Sequence, residues 1–173
     1  NLLISTSKSK ISADEISVLD GKICIPKQYL IECTFLDDTS VLVISGSLIE
    51  GIGTPHSDID CIVICDKRPT ARDIEPHEHA FITDGNYKHI RDNESVYNTT
   101  NFLNDSSIHI DADYITFSEL NTIILKIEEA HTHVTTDQRY LYDPVLSNTE
   151  NNIIHRLLTG HALKNELTFS HLK

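Results

Sequence analysis

The sequence predicts an α/β (α+β) fold in which helices pack on a short mixed β-sheet. Two continuous apolar runs, residues 41–44 and 59–64, are typical of strands that are buried on both faces. Segments 118–134 and 149–163 instead carry apolar residues at helical spacing. With 173 residues, of which 39% are hydrophobic, the chain is long enough for one compact domain with a core.

The N-terminal third predicts a hairpin followed by a helix. Residues 1–12 are rich in Ser and Lys and are expected to be frayed or to form a weak edge. Residues 16–25 surround Asp20-Gly21, a dipeptide typical of a tight hairpin turn. Pro26 suits the first turn of a helix, which residues 28–36 can continue.

A loop rich in Gly, Ser and Pro separates the two apolar runs. It spans residues 45–58 and has room for one helical turn. Residues 67–78 are polar and predict a further loop. Segments 80–83 and 87–90 flank an Asp-Gly dipeptide and predict a second hairpin, whereas 93–105 has no clear pattern.

The C-terminal half predicts a strand, a helix and a closing amphipathic helix. Residues 108–115 alternate with period two, as in a strand with one polar face. Ser118 is the expected N-cap of a helix over 118–134, and a short strand is expected over 139–142. The final helix, 149–163, places four apolar residues on one face: Ile153, Ile154, Leu157 and Leu158.

Charge and hydropathy restrict the partners. The formal net charge of −12 argues against a general nucleic-acid binder, which needs a basic surface to displace counterions. No stretch of about 18 apolar residues is present, so a membrane partner is not expected. The first eight residues are too polar for a signal peptide.

The four cysteines predict a reducing environment. Cys24, Cys33, Cys61 and Cys65 do not form the paired C-x2-C spacing of a zinc site. The last two fall in a run expected to be buried, where a thiol behaves as a small apolar group. We interpret all four as free core thiols and expect the protein to be cytoplasmic.

Two carboxylates at the start of the second apolar run predict a cation site. Residues two apart in a strand point to the same face, so Asp58 and Asp60 would stand side by side. Like charges this close raise each other's pKa unless a cation lies between them. Mg²⁺ prefers a few carboxylates together with water and phosphate oxygens, which suits such a pair. The plainer interpretation is a pair of surface residues at a strand start.

Gly46-Ser47 follows the first apolar run directly. A glycine there lets the backbone approach a phosphate closely. The Ser47 hydroxyl and the following amides can donate to phosphate oxygens, and more strongly if a helical turn begins there. Ser57, which directly precedes Asp58, is a further candidate for nucleotide contact, with a simple turn residue as the alternative.

Gly-Ser, a spacer, and Asp-x-Asp leading into an apolar strand resemble the nucleotidyltransferases of the DNA polymerase beta superfamily. The intervening Gly51-x-Gly53-Thr54 is typical of their small bacterial members. The family uses a third carboxylate on a later strand, and Asp111 fits its apolar-Asp-apolar pattern best, with Asp113 as the alternate ligand. The other interpretation is that these two residues lie on the solvent-exposed face of an edge strand.

The resemblance implies a metal-dependent nucleotidyltransferase. Asp58, Asp60 and Asp111 would be the catalytic carboxylates that hold two Mg²⁺ ions, with Mn²⁺ as a substitute, against a nucleoside triphosphate. Gly46 and Ser47 would bind the β and γ phosphates. An acceptor hydroxyl would attack the α phosphate, and pyrophosphate would leave.

Three functions are compatible with these residues. The acidity favours transfer to a small, cationic acceptor over transfer to nucleic acid. A transferase that modifies a protein or makes a nucleotide signal is the second hypothesis. A nucleotide-binding regulatory domain without turnover is the third. The residues indicate neither the preferred base nor the acceptor.

The resemblance covers residues 41–143, and it divides the chain into a catalytic domain over 1–147 and a C-terminal helix over 148–173. Members of the family usually carry a further helical domain. The sequence therefore leaves open a minimal enzyme, an enzyme completed by a homodimer partner, and a fragment that lacks the helical domain.

Other polar residues have plainer interpretations. The pairs around residues 77–79 and 131–133 lack the H-E-x-x-H spacing and are interpreted as surface histidines. His56 is expected to be a solvated loop residue. Arg156 is a candidate phosphate contact, although an exposed position on the last helix is the default expectation.

Overall fold

Two β-sheets organise the part of the chain that the structure describes. In a computed structural model of the protein, these are residues 10–34, 37–74, 94–102, 109–133 and 145–172. The strands are β1 (Lys10–Ile11), β2 (Glu15–Val18), β3 (Ile23–Pro26), β4 (Val41–Ser45), β5 (Ile59–Cys65), β6 (Asn98–Phe102), β7 (His109–Thr116) and β8 (His161–Lys164). The helices are α1 (Lys27–Cys33), α2 (Ser47–Glu50), α3 (Ala71–Ile74), α4 (Phe117–His133), α5 (Asn148–Thr159) and α6 (Glu166–Leu172).

The larger sheet has five strands in the order β6-β7-β5-β4-β8. β5 and β7 are parallel and the other neighbours are antiparallel, so the sheet is mixed. Strands β1 to β3 form a separate antiparallel sheet. The predicted α+β class with a short mixed sheet is therefore confirmed.

The strand register aligns three polar residues across the centre of the sheet. Asp60 on β5 pairs with Ser45 on β4 and with Asp111 on β7. These three residues are called the Asp60 row below. The row lies where β4 ends and β5 begins, next to the loop that joins the two strands.

Both faces of the five-stranded sheet are covered, as the continuous apolar runs predict. On one face, side chains such as Leu42 and Val63 form a core with β2, β3 and α1. On the other, Val43 and Ile62 form a core with residues of α4, α5 and α6. This second face is called the helical face. Because strand side chains alternate, it also carries the Asp60 row and Asp113.

Most predicted elements of the first half are present. The hairpin of β2 and β3 turns through Asp20 and Gly21, both at positive φ. Helix α1 follows, with Pro26 at its N-cap instead of inside its first turn. The loop between β4 and β5 contains the one helical turn expected, which is α2.

Two polar segments have more structure than their sequences indicate. Helix α3 interrupts 67–78, which was expected to be loop throughout. The Thr70 amide and hydroxyl both donate to the Asp73 carboxylate, at 2.8 and 2.7 Å, and this local pair starts the turn. The unassigned segment 93–105 contributes β6, the edge strand beside β7.

Helix α4 begins one residue before the predicted N-cap, Ser118. The hydroxyl of Thr116 accepts from the Glu119 amide at 3.2 Å, and the Glu119 carboxylate accepts from the Thr116 amide at 2.9 Å. This reciprocal pair is a capping box, so Thr116 performs the role expected of Ser118. Within the described ranges, no helix combines the length and the hydropathy needed to cross a membrane.

The C-terminal segment departs most from expectation. A single helix over 149–163 is wrong, because α5 ends at Gly160 and β8 then pairs with β4. A Cβ on Gly160 would lie 2.5 Å from the Arg156 carbonyl oxygen and 2.6 Å from Val43 Cγ1. The chain can therefore turn from helix into strand this close to β4 only with glycine. The division of the chain at 147/148 stays a prediction.

The cysteines are partly as expected. Cys61 and Cys65 are buried in β5, whereas Cys24 is exposed; all three are free thiols. Burial raises the pKa of the Cys65 thiol to about 11, so this group is an inert core residue at neutral pH. The hairpin predicted over 80–90 and the strand predicted over 139–142 lie outside the described residues.

The variant Gly160→Ala distinguishes the observed turn from helix into strand from a helix that continues through residue 163. In a helix through residue 163, alanine would stabilise the protein by about 1 kcal/mol relative to glycine. In the observed structure the added methyl group overpacks the junction, so the free energy of unfolding should fall by roughly 1–3 kcal/mol. Urea unfolding gives the sign directly.

Leu158→Ala is the matched control. Leu158 lies two residues earlier and is 62% exposed, although its spacing predicted an apolar face. Its truncation should change the free energy of unfolding by less than about 0.5 kcal/mol. A stabilised Gly160→Ala protein would contradict the pairing of β8 with β4.

Candidate functional site

Four carboxylates meet at one end of the helical face. Asp60 and Asp111 are opposite each other on adjacent strands, whose backbones lie roughly 4.8 Å apart. Asp113 is two residues further along β7 on the same face. Asp58 directly precedes β5, and its Oδ1 lies 3.7 Å from His109 Nδ1. The fold thus brings the three predicted catalytic residues and their alternate together.

A buried arginine lies among these carboxylates. Arg156 of α5 is only 6% exposed. Its Nη1 donates to Asp113 Oδ2 at 2.5 Å, and its Nη2 lies 3.7 Å from Asp60 Oδ1. Nη2 also donates to the Cys61 carbonyl at 2.9 Å, and Nε donates to Ser45 Oγ at 3.1 Å. One side chain therefore ties α5 to β4, β5 and β7.

The exposed position expected for Arg156 is wrong. The signal in the sequence was its place on α5, between Ile153 and Leu157 on the side of the helix that faces the sheet. Burying a long cationic side chain within an apolar stripe costs stability unless an anionic group pairs with it. The acidic partners are distant in sequence, and only the docked helix brings them within reach.

The site holds more negative charge than its arginine can balance. Burial raises the pKa of Asp60; the Arg156 guanidinium opposes this, and the carboxylates of Asp111, Asp113 and Asp58 add to it. Asp111 Oδ1 is buried and has no hydrogen-bond partner among the described residues. A buried acceptor without a donor is costly, so the site has unused capacity for a cation.

In this structure the carboxylates are not arranged as ligands of a single ion. Among the residues that the structure describes, no three His, Cys, Asp or Glu side chains form a group that could hold a metal. In this arrangement Asp113 faces Arg156, and Asp60 lies near the same guanidinium. Their backbone positions on adjacent strands nevertheless keep Asp60 and Asp111 side by side.

Gly46 is required by the geometry of the site. Its φ of +91° lies in the left-handed region, which L side chains rarely adopt. A Cβ at this position would lie 2.0 Å from Asp60 Oδ2. Glycine thus allows the chain to turn sharply out of β4 while the Asp60 carboxylate lies against its backbone.

The residue after Gly46 has free donors. The Ser47 amide and hydroxyl make no hydrogen bond to any described residue, while the Ser47 carbonyl accepts from Gly53 at 2.8 Å. A Cβ on Gly53 would lie 2.8 Å from the Leu48 nitrogen, so the loop folds closely over α2. The predicted phosphate contacts, Gly46 and Ser47, therefore lie beside the Asp60 row with donors still available.

Ser57, the third predicted nucleotide contact, is engaged within its own loop. Its Oγ accepts from the Thr54 amide at 2.8 Å, and its amide donates to the Thr54 carbonyl at 3.0 Å. These bonds close a turn directly before Asp58 and help to hold that carboxylate in place. A contact between Ser57 and a nucleotide stays a prediction.

Comparisons with known proteins add no information on the function of this site. No family model, no curated protein and no solved structure matches the chain. The chemistry of the site is therefore inferred from its residues and their surroundings.

Asp60→Asn should stabilise the protein at neutral pH. The pKa of Asp60 is raised above the value of 3.8 that applies in the unfolded chain. Its contribution to stability is thus present below that value and is lost as pH rises through the folded-state pKa. Because Asn carries no charge, Asp60→Asn avoids this loss. Its free energy of unfolding should therefore exceed that of the wild-type protein at about pH 7, and the difference should shrink as the pH falls to about 4.

Asp37→Asn is the control of opposite sign. Hydrogen bonds from Ser40, and next from Thr39, lower the pKa of Asp37 below 3.8. That carboxylate stabilises the fold above 3.8 and stops doing so as pH falls through its folded-state pKa. Asp37→Asn should therefore destabilise at neutral pH. If urea unfolding shows that both variants destabilise the protein equally, the inferred excess of negative charge at Asp60 is wrong.

Proposed function

We propose that the protein transfers a nucleoside monophosphate from a nucleoside triphosphate to a hydroxyl of a small acceptor, with release of pyrophosphate. The observation that carries this proposal is the Asp60 row beside Gly46. Two carboxylates on adjacent strands lie next to a glycine turn, and the amide and hydroxyl of the following residue donate to none of the described residues. The resemblance of Gly46-Ser47 and Asp58-x-Asp60 to nucleotidyltransferases agrees with this arrangement.

The side chains of the site have the ligand chemistry that divalent cations prefer. Asp58, Asp60 and Asp111 would hold them, since Mg²⁺ and Mn²⁺ take oxygen ligands and these side chains offer only oxygens. Asp111 Oδ1 is buried without a partner among the described residues, and the pKa of Asp60 is raised; both observations support an added positive charge here. Two Mg²⁺ ions, when bound, would neutralise charge on the phosphates and acidify the acceptor hydroxyl.

The residues of the chain would position the triphosphate. The Ser47 amide and hydroxyl can donate to oxygens of the terminal phosphates, which Gly46 allows to come close to the backbone. Arg156 would hold α5 in place beside the carboxylates, because its four contacts join that helix to three strands. Such fixed placement of charged groups accounts for much of the rate of phosphoryl transfer.

Thermal unfolding with nucleotides tests the proposal. Each of ATP, GTP, CTP and UTP is added with and without Mg²⁺ to the wild-type protein and to Asp58→Asn/Asp60→Asn. A ligand at about 100 times its dissociation constant should add roughly 2.7 kcal/mol to the stability of the folded state. We expect a shift that depends on Mg²⁺ and that the double variant loses relative to its own baseline.

Asp14→Asn is the control, because Asp14 is an exposed residue between β1 and β2. It should keep the full shift. Release of pyrophosphate from the preferred nucleotide, with transfer of its labelled α phosphate, then separates turnover from binding alone. A well-folded protein that no nucleotide stabilises would contradict the proposal, and binding without transfer to any acceptor would favour a regulatory module.

Asp111→Asn and Asp113→Asn should differ. Asp113 already accepts from Arg156 at 2.5 Å, whereas one oxygen of the Asp111 carboxylate has no partner in the part of the chain that the structure describes. We therefore expect Asp111→Asn to abolish the Mg²⁺-dependent shift and to cost several orders of magnitude in rate. Asp113→Asn should keep nucleotide binding and mainly lower stability.

The same thermal assay and a steady-state rate measurement distinguish the two. The reverse result, with binding lost in Asp113→Asn and kept in Asp111→Asn, would make Asp113 the third ligand.

A further inference from the structure

A cavity of about 560 Å³ lies on the helical face beside the carboxylates. It shares Asp113 and Arg156 with the candidate site and extends between β6, β7, α4 and α5. Its apolar lining is formed by isoleucines of the sheet and of both helices: Ile62, Ile115, Ile123 and Ile153. The volume suits a small organic molecule.

The cavity and the phosphate-binding turn lie on opposite sides of the Asp60 row. Gly46 and Ser47 follow Ser45, the end of β4, and so lie beyond the row in one direction. Ile62 and Asp113, which pair with each other, lie two residues from the row in the other direction. Both line the cavity.

If the proposed function holds, this order determines the side from which the acceptor approaches the α phosphate. In phosphoryl transfer the attacking and leaving oxygens lie roughly in line on opposite sides of the phosphorus. With the β and γ phosphates at Gly46 and Ser47, the leaving oxygen points towards that turn. The attacking oxygen then comes from the side of Ile62 and Asp113.

We propose, on the basis of that function, that this cavity binds the acceptor. The acceptor hydroxyl would enter from the cavity and form the new bond to the α phosphorus as the bond to pyrophosphate breaks. The hydroxyl proton would pass to a nearby carboxylate or to solvent. The cavity would thus determine which acceptor is used.

The charges of the lining indicate what kind of acceptor fits. Arg68 donates to both carboxylate oxygens of Glu119, at 2.7 and 2.6 Å, and Arg156 donates to Asp113. The third carboxylate of the lining, Glu150, pairs with Lys126 at 2.5 Å, so each of the three has a cationic partner. The excess negative charge comes from the nearby Asp60 row, where Asp60 and Asp111 add two carboxylates, so an anionic molecule is disfavoured.

The lining also favours a partly apolar molecule. The isoleucines provide an apolar floor, while the exposed rim residues Thr122, Thr149 and Asn152 provide hydroxyl and amide groups. Tyr97 adds an aromatic ring, which covers the Arg68 guanidinium at 4.2 Å. The inferred acceptor class is a small hydroxylated molecule with an apolar body and a neutral or cationic end.

Three matched probes test this assignment without nucleotide. Tyramine, tyrosol and 4-hydroxyphenylacetate share a phenol ring and differ in an end that is cationic, neutral or anionic. Each is titrated into the full chain while backbone amide resonances are followed by NMR. We expect tyramine to shift amides that line the cavity with a dissociation constant on the order of 1 mM. The anion should bind roughly tenfold more weakly or not at all.

A matched pair of variants locates the binding. Thr122 lines the cavity and Asn121, its neighbour on α4, does not; both are exposed. Thr122→Trp should fill the cavity and remove the shifts caused by tyramine, whereas Asn121→Trp should keep them. Both variants should keep the Mg²⁺-dependent thermal shift with the nucleotide that stabilises the wild-type protein most, because the phosphate-binding turn is unchanged.

Three results would overturn the assignment. The first is a lack of tyramine shifts at the cavity, and the second is equal or tighter binding of 4-hydroxyphenylacetate. The third is loss of that nucleotide-dependent shift in Thr122→Trp alone, which would make the cavity the site of the nucleoside. The proposed function fails separately, by the absence of any nucleotide shift in the wild-type protein, whatever the probes do.

Discussion

Repulsion between carboxylates on the parallel strands β5 and β7 is the constraint on which the rest of the site depends. Strand pairing fixes Asp60 opposite Asp111, and alternation adds Asp58 and Asp113 on the same face. Arg156 compensates part of this charge from a buried position, and no described residue donates to the buried oxygen of Asp111. A fold that keeps such a cluster gives up stability at the place where the proposed function needs charge.

Much of this was readable in the sequence, and the exceptions have physical causes. The runs in β4 and β5, the glycine turn and the paired carboxylates are local patterns, so they predicted both the strands and the placement of these carboxylates beside the turn. Arg156 was missed because its burial depends on docking of α5 against distant strands. Strand β8 was missed because residues up to Leu163 continue a helical spacing, and only the close approach of Gly160 to β4 ends the helix.

Helix α5 connects the structural and chemical parts of this account. Its first turn is fixed by a capping box between Ser147 and Glu150, and its last turn places Arg156 under the carboxylates. The same helix forms a wall of the cavity through Ile153. Turn, carboxylates and cavity therefore follow one another along the helical face, in the order that the proposed in-line transfer requires.

Paramagnetic broadening by Mn²⁺ tests the central claim most directly, because it locates the ion on the chain. Mn²⁺ is titrated with a non-hydrolysable nucleoside triphosphate while backbone amide resonances are followed by NMR. The account predicts that amides around Asp58, Asp60 and Asp111 broaden first, together with those of Gly46 and Ser47. Broadening centred on another acidic region, such as that around Asp37, or spread evenly over the surface, would contradict it.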